Sequence, residues 1–234
     1  MSSSKEQYTF QVEEPPRLQD YQLEKWLASA HLSPSLESLR SEKYSWTQRV
    51  QYAVGHAVNR YYSAEPKFRI HTNSGELVDY RWPQRLDGFD SEKKYWELKD
   101  QVIVNLNTFF QNNPYTEDRP ILLYEQLHTH VAELGLDLSM IAQVAWQCPK
   151  TLGIHLQKFV VEDKPQVLDG YRHVARVFCR HAFGADPIKL EVFHVLEGKI
   201  TELSLGDISY EQSLDYLKLA YQSIEESNGY TLSS

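Results

Sequence analysis

Residues 121–147 read ILLYEQLHTHVAELGLDLSMIAQVAWQ, and residues 153–161 read GIHLQKFVV. The fold class depends on whether these two stretches are helical or extended. The first is either one long helix or, given the short ELG break and the alternation around it, two paired strands. The strand interpretation is favoured, and the second stretch is apolar, β-branched and aromatic, as a buried third strand should be. We therefore expect three adjacent strands between residues 121 and 161.

Helical spacing of apolar residues surrounds these strands on both sides. The segments that carry it are 18–32, 36–63, 91–110, 166–183 and 209–224. Residues 67–82 (KFRIHTNSGELVDYRW) are predicted to form a β-hairpin that turns at TNSG, and 188–205 one or two further strands. The sequence therefore predicts an α/β (α+β) fold, with a central mixed sheet of about four to five strands flanked by helices.

Composition along the chain suggests how the fold is organised. Residues 1–16 carry little apolar content and are expected to be a disordered lead-in. Residues 17–113 form a mainly helical part, 121–226 the α/β core, and 227–234 a flexible tail. With 234 residues, the chain is long enough to bury a substantial core, and we expect one compact unit overall.

Charge and composition narrow the class of protein. The formal net charge of −8 argues against a general nucleic-acid coat and leaves a local basic patch open. No apolar stretch approaches about 18 residues and the start has no apolar signal region, so neither a membrane span nor a secretory leader is expected. Cys148 and Cys179 are too few for a disulfide framework. The expected location is the cytoplasm.

Charged residues inside apolar strands are the first candidates for chemistry, because phosphate loops, Rossmann glycines, HExxH and GxSxG motifs are absent from the sequence. Lys158 stands within the third strand, where a charge is costly unless it is paired. In a regular strand Glu125 shares the face of Leu123 and Leu127, so it is the expected partner of Lys158. A structural ion pair is one interpretation; a working or remnant site is the other.

Histidines and arginines supply two further candidates. His128 and His130 point the same way in a strand and are weak candidates for a metal site; as alternatives they are ordinary polar residues of an outward face. Arg172, Arg176 and Arg180 are spaced by four and form one row on a helix. Such a row can bind phosphate, or it can pair with Asp and Glu on a solvated face.

The order helix, two paired strands, third strand, helix, strand, helix resembles the core of the PD-(D/E)XK nuclease class, in particular its RecB-like members, which act on DNA ends. LSPSLESL (32–39) followed by YAVGHAVNRYY (52–62) resembles the serine-proline entry and the Gly/His helix of those enzymes. The closing strand, turn and helix are similar to residues 190–205 and 210–224. The resemblance covers about 110–234, with weaker echoes upstream.

In that family an acid on the second strand and an acid-x-Lys on the third bind a divalent metal and help to activate water. Here Ala142 or Gln143 stands at the first acid position, and Leu156 at the second if Lys158 is the family lysine. A shift by one residue places Gln157 at the acid position instead. Because glutamine binds Mg²⁺ far more weakly than a carboxylate, the resemblance implies a degenerate site. Its candidate residues are Glu125, Gln143, Gln157, Lys158 and Tyr171.

Three functions follow from these patterns. The leading hypothesis is a non-catalytic binding or scaffolding module without a cofactor, with nucleic acid as a candidate partner at the arginine row. The alternative is a metal-dependent hydrolase, such as a nuclease, with a rearranged site that uses Glu125, Asp137, His128 and His130 and requires Mg²⁺ or Mn²⁺. A second alternative is a small-molecule or protein-interaction domain.

Overall fold

The fold is taken from a computed structural model, which describes residues 15–29, 45–86, 88–148 and 150–231. The helices in these ranges are Asp20–Ser29 (α1), Trp46–Ser63 (α2), Pro66–Arg69 (α3), Ser74–Asp79 (α4), Glu92–Asn112 (α5), Pro165–Phe183 (α6) and Tyr210–Thr231 (α7). The strands are Arg17–Gln19 (β1), Leu122–Val131 (β2), Leu136–Gln147 (β3), Ile154–Val160 (β4), Lys189–His194 (β5) and Lys199–Glu202 (β6). Within these ranges no helix is both long and apolar enough to cross a membrane.

The strands of the described residues form one open, mixed six-stranded sheet, which confirms the predicted α/β class. The three expected strands are β2, β3 and β4, joined in antiparallel pairs. β5 lies parallel to β4 and antiparallel to β6. The sheet exceeds the predicted four to five strands because β1 adds a parallel partner to β3. Three residues are too few to show the alternation by which a strand is recognised.

β3 has different neighbours on its two edges. β2 follows one edge from Leu136 to Ala145. The other edge is shared: β1 pairs with residues 137–139 and β4 with residues 144–147. Residues 140–143 lie between these two partners, so the sheet is forked at this point. The fork is the feature of the fold that creates the site described below.

Helices cover both faces of the sheet and bury two apolar layers. On one face, α2, α4 and α5 pack against Val144, Trp146 and Phe159. On the other face, α1, α6 and α7 pack against Leu138 and Leu156, among others. Both layers are held by the amphipathic faces that the helical spacing predicts. The two layers together fix where α1 and α2 stand relative to the fork.

The predicted hairpin at 67–82 is wrong, because α3 and α4 occupy this region. Asn73, expected within the turn, is the N-cap of α4, and its side-chain oxygen accepts a hydrogen bond from the Gly75 N–H at 2.8 Å. An Asn that caps a helix and an Asn in a β-turn have the same sequence signature. Leu77, Val78 and Trp82 are buried against the α2 layer, and this burial decides for the helix.

The last helix, α7, is longer than the sequence predicts. Residues 227–231, predicted as part of a flexible tail, belong to α7, which continues to Thr231. Residues 1–14 of the predicted lead-in, 30–44 and 232–234 lie outside the described residues. The LSPSLESL stretch at 32–39 is among them.

Candidate functional site

A cleft opens at the fork of the sheet, between α1 and α2. Its volume is about 560 Å³, within the range of roughly 300–1,000 Å³ that is usual for small-ligand sites. Below it is called the α1–α2 cleft. Its lining residues are Asp20, Tyr21 and Glu24 of α1, Gln48, Gln51, Tyr52, Gly55, His56 and Asn59 of α2, Tyr124 of β2, Ile141 and Gln143 of β3, and Lys158 of β4.

Lys158 lies in the floor of the cleft and is paired with Glu24. The ammonium nitrogen is 2.6 Å from Glu24 Oε1 and 4.6 Å from the centre of the Tyr171 ring. The Lys158 side chain is only 9% exposed, so the ion pair and the aromatic ring replace most of its hydration. Lys158 and Tyr171, which the nuclease resemblance groups together, are therefore neighbours in space.

Asp20 is the second acid of the cleft and was not anticipated from the sequence. It is 5% exposed. Its carboxylate accepts hydrogen bonds from the backbone N–H groups of Tyr21 at 2.8 Å and Ile141 at 2.6 Å. Burial raises the pKa of Asp20, while the hydrogen bond from Ile141 and the charge of Lys158 act to lower it. Asp20 thus provides a hydrogen-bond acceptor for the edge of β3 in residues 140–143, which lie between the residues paired with β1 and those paired with β4.

Two glutamines complete the exposed strand edges at the fork. Gln143 Oε1 accepts a hydrogen bond from the Phe159 N–H at 2.7 Å. The Gln51 amide donates to the Phe159 carbonyl at 2.8 Å and accepts from the Val161 N–H at 2.9 Å. A buried backbone group without a partner is costly, so these amides substitute for a missing strand. Gln143 lines the cleft, but its oxygen is already engaged.

Two polar atoms of the cleft wall, by contrast, have no partner. Tyr124 Oη and His56 Nδ1 are buried and make no hydrogen bond within the described residues. Burial raises the pKa of Tyr124. Burial also lowers the pKa of His56, and the charges of Arg81 and Arg60 lower it further. Both groups are therefore held in their neutral forms beside the cavity.

Gly55 makes room for the Tyr124 ring. A Cβ atom at Gly55 would lie 3.1 Å from Tyr124 Cε1 and 3.3 Å from its Oη, closer than carbon atoms normally pack. The backbone of Tyr124 is left-handed, with φ of 51°, an uncommon conformation for a bulky residue. An α2 glycine and a strained strand residue together place this phenol on the cleft wall.

The prediction that Glu125 is the partner of Lys158 is wrong. Glu125 is exposed, and the Lys158 ammonium is paired with Glu24 instead. The expected face is also broken: Leu123 and Tyr124 both pack on the α2 side of the sheet, whereas Leu127 packs on the opposite side. The alternation of side chains therefore shifts at the left-handed Tyr124, and regular spacing in the sequence does not reveal such a shift.

Gln157 is buried away from the cleft, on the α2 and α5 face of the sheet. Its amide oxygen accepts from Trp146 Nε1 at 2.7 Å, and its amide nitrogen donates to Glu191 at 2.9 Å. Burial acts to raise the pKa of Glu191, but contacts with His155, Gln157 and Lys189 lower it to about 2. Gln157 is thus part of a structural polar network. It does not line the cleft together with Lys158.

The arginine row is engaged within the protein. Arg172 contacts Asp169 and Asp207, Arg176 and Arg180 both contact Asp186, and Arg180 lies over the Tyr210 ring at 4.2 Å. Arg176 also donates to the carbonyls of Leu205 and Ile208. The row therefore ties α6 to the connection between β6 and α7. Of the two interpretations that the spacing allowed, pairing with acidic side chains is the one that the structure contains.

The two strand histidines are both exposed. His130 Nδ1 is 3.0 Å from Asp137 Oδ1 on the neighbouring strand, and His128 lies opposite Ser139. In the part of the chain that the structure describes, no group of three or more His, Cys, Asp or Glu side chains is arranged to hold a metal ion.

Of the predicted degenerate site, the structure thus brings together Gln143, Lys158 and Tyr171 and separates Glu125 and Gln157 from them. Sequence reasoning missed Asp20, Glu24 and Tyr124. The spacing of Asp20 and Glu24 by four residues on α1 is the one signal available, since it places both carboxylates on one helix face.

No protein-family model matches this chain. No curated protein matches it either. Among solved structures, one described as "Crystal structure of SSO0001" is similar at a TM-score of 0.32 and 11% sequence identity, over 87% of this chain and 84% of that one. Similarity at this level transfers neither a family nor a function.

Proposed function

We propose that this protein is a non-catalytic binding module with a PD-(D/E)XK-like core, and that the α1–α2 cleft is its binding site. The observation that carries the proposal is the 2.6 Å ion pair between Lys158 and Glu24. A lysine that supports developing negative charge in hydrolysis must have its ammonium directed at the substrate. Here the Lys158 charge is already compensated within the protein.

The residues at the two acid positions support the same conclusion. Leu156 is 1% exposed and packs in the apolar layer beneath α6. The Gln143 oxygen accepts the Phe159 N–H. An apolar side chain and an engaged amide are poor ligands for Mg²⁺ or Mn²⁺. Both residues serve the fold and leave the cleft without the metal chemistry of the family.

The unpartnered polar atoms support binding in the cleft. Tyr124 and His56 line the cleft, and their Oη and Nδ1 atoms are buried without a hydrogen-bond partner among the described residues, at a cost of about 1–3 kcal/mol each. A polar ligand would recover this cost if the two side chains turned towards it on binding. The free thiols of Cys148 and Cys179 fit a reducing compartment, and the cytoplasm is the proposed location.

The second candidate function is a metal-dependent hydrolase. It is favoured by the placement of two carboxylates, those of Asp20 and Glu24, beside Lys158 in one cleft. These acids would take the place of Glu125, Asp137, His128 and His130, which lie elsewhere. Such a centre would require Mg²⁺ or Mn²⁺, with water activation by the metal.

Calorimetric titration with Mg²⁺ and Mn²⁺, together with cleavage assays on single- and double-stranded DNA, separates the two functions. The binding-module proposal expects neither stoichiometric metal binding nor cleavage above background. Micromolar metal binding that is lost in Glu24→Gln, with DNA cleavage that is lost in Lys158→Ala, would establish the hydrolase instead.

A thermal-shift screen tests the cleft as a binding site. The screen uses neutral, cationic and anionic small molecules against the wild type, Asn59→Trp and Ser63→Trp. Asn59 lines the cleft, whereas Ser63 is exposed on the same helix outside it. We expect at least one compound to raise the melting temperature of the wild type and Ser63→Trp but not of Asn59→Trp, because the introduced indole fills the cleft. A screen without any such compound would contradict the proposal.

A further inference from the structure

Two arginines share one aromatic ring near the C-terminal ends of α2 and α4. The guanidinium carbon of Arg60 lies 4.5 Å from the centre of the Tyr80 ring, and that of Arg81 lies 5.1 Å from the same centre. A guanidinium group over a tyrosine ring is held there by cation–π attraction. All three side chains are exposed, so the ring brings two positive charges together at the surface. Arg60 and Arg81 are called the Tyr80 arginine pair below.

The hydrogen-bond donors of the Tyr80 arginine pair are not used by the protein. In the part of the chain that the structure describes, neither guanidinium group has a hydrogen bond or an ion pair with another residue. Other arginines do contact a carboxylate or a backbone carbonyl, namely Arg17, Arg69, Arg119, Arg172, Arg176 and Arg180. Asp79, the acid next to Tyr80 in the chain, is paired with Lys99 at 2.6 Å. The pair therefore presents free donors and uncompensated charge.

His56 shows that the electrostatic potential around the pair is positive. Its ring is stacked on Tyr80, with ring centres 5.0 Å apart and an angle of 15° between the planes. Burial lowers the pKa of His56, and the charges of Arg81 and Arg60 lower it further. Both charges that act on this pKa are positive. In a chain with a formal net charge of −8, this local region is attractive to an anion.

Buried residues fix the backbone that carries the pair. Ala57, one helical turn before Arg60, is buried in the α2 layer, and so are Val78 and Trp82, which flank Tyr80 and Arg81 in the chain. Binding costs free energy when loops and side chains must be ordered. Here the backbone is already anchored and the shared ring restricts both arginines. The pair is therefore prepared for an anion before the anion arrives.

From these observations we propose that the Tyr80 arginine pair binds the phosphate monoester group of a small molecule. Such a group carries a charge of about −1.5 to −2 at neutral pH and three acceptor oxygens, which match two guanidinium groups in charge and in donors. A nucleic-acid strand fits less well, because its internal phosphates are diesters with a single charge and its binding draws on a longer run of cations. Neither arginine lines the α1–α2 cleft, so this is a second ligand site beside the one proposed above.

The test compares methyl phosphate, dimethyl phosphate and acetate on the full chain at constant ionic strength, with backbone amide shifts followed by heteronuclear NMR. Methyl phosphate is expected to give saturable shifts at residues 56–60 and 80–82. It should bind about 10-fold more tightly than the two monoanions, because only a dianion compensates both guanidinium groups. It should also raise the pKa of His56, since the bound charge offsets the two charges that lower it. An anion bound elsewhere would not produce this effect.

Variants assign the binding to the pair. Arg60→Gln and Arg81→Gln should each weaken methyl phosphate binding about 10-fold through the loss of one charge-assisted contact. Arg17→Gln removes the same charge from β1 and is the matched control, with no change in affinity expected. All three arginines are exposed, so the fold should persist, which a circular-dichroism melting curve checks.

Several results would overturn the inference. These are the absence of saturable methyl phosphate binding, equal affinity for dimethyl phosphate, and a loss in Arg17→Gln as large as in Arg60→Gln and Arg81→Gln. Failure here leaves the binding-module proposal in place, because that proposal concerns the α1–α2 cleft and is tested by the thermal-shift screen.

Discussion

The Lys158 ammonium and the Glu24 carboxylate lie 2.6 Å apart although 134 positions separate them in the sequence. Their meeting depends on the short strand β1. By pairing with residues 137–139 of β3, β1 places the start of α1 directly beside the free part of the β3 edge. Asp20 then bonds to Ile141, and Glu24, one helical turn further on, reaches Lys158.

Removing the Glu24 carboxylate should cost more in the free energy of unfolding than removing the Lys158 charge. Glu24→Ala is expected to lower the free energy of unfolding by about 1–3 kcal/mol, because it leaves a buried ammonium with weaker compensation. Lys158→Met retains the packing on Tyr171 and removes the charge, so it should cost less than about 1 kcal/mol. Urea denaturation measures both. Glu97→Ala, which breaks exposed pairs with Lys93 and Lys94, is the control with little effect expected. A greater cost for Lys158→Met than for Glu24→Ala would contradict this account.

The Gln51 amide should be as important as a strand partner. Gln51→Leu leaves the Phe159 carbonyl and the Val161 N–H without their hydrogen bonds, and we expect a loss of about 2–4 kcal/mol in the free energy of unfolding. Gln84→Leu, at an exposed position, serves as the control. Hydrogen exchange offers a second measurement, since the Val161 amide should lose protection in Gln51→Leu. Unchanged protection would show that another group holds this edge.

The arginine row should behave as a structural clamp. Arg176→Met removes the contacts with Asp186 and with the carbonyls of Leu205 and Ile208, and is expected to destabilise the fold by about 2–4 kcal/mol. Arg17→Met, which breaks only a half-exposed contact with Asp137 at 3.9 Å, should cost far less. Denaturation of each variant measures the difference. A fully stable Arg176→Met that had lost affinity for single-stranded DNA would instead identify the row as a ligand surface.

Acid stability should depend on Glu191. Its pKa is about 2 in the folded protein and 4.5 as an ordinary glutamate. A carboxyl whose folded pKa is lowered stabilises the protein fully above its unfolded pKa, so this contribution is lost as the pH falls from 4.5 towards 2. The loss amounts to at most about 3 kcal/mol.

Comparison with Glu191→Gln isolates this contribution. The stability of the variant, measured by urea denaturation across the same pH range, should decline less steeply than that of the wild type. Glu97→Gln removes an exposed carboxyl and should follow the wild-type curve. Parallel curves for the wild type and Glu191→Gln would show that its contacts with His155 and Lys189 do not carry the acid sensitivity.

Local sequence patterns were sufficient for most of the fold. The three strands between residues 121 and 161 and the helices α2, α5, α6 and α7 follow from spacing, because each buries one face and repeats its apolar residues with its own period. Lys158 was identifiable for the same reason, as a charge within an apolar run. Where two structures share a signature, as at Asn73, the sequence favoured the wrong one.

The candidate site could be predicted only in part. Gln143, Lys158 and Tyr171 come from segments that were predicted as strands and a helix, and in the structure they lie near one another at the fork. Glu125 was misplaced because its side chain is exposed, and the spacing of residues along a strand does not show which positions a helix covers. Gln157 was misplaced because consecutive strand residues point to opposite faces of the sheet, and the sequence left open whether Gln157 or Lys158 faces the cleft.

Most helices and strands can be recognised from the sequence, since the period of burial along a strand or a helix is a local property of the chain. Which charges meet depends on the tertiary structure. Glu24, rather than Glu125, neutralises Lys158 because a three-residue strand, too short to recognise in the sequence, fixes α1 at the fork. Electrostatic partners depend on distances of a few ångströms between remote segments, and these distances are set by packing of the whole sheet and its helices.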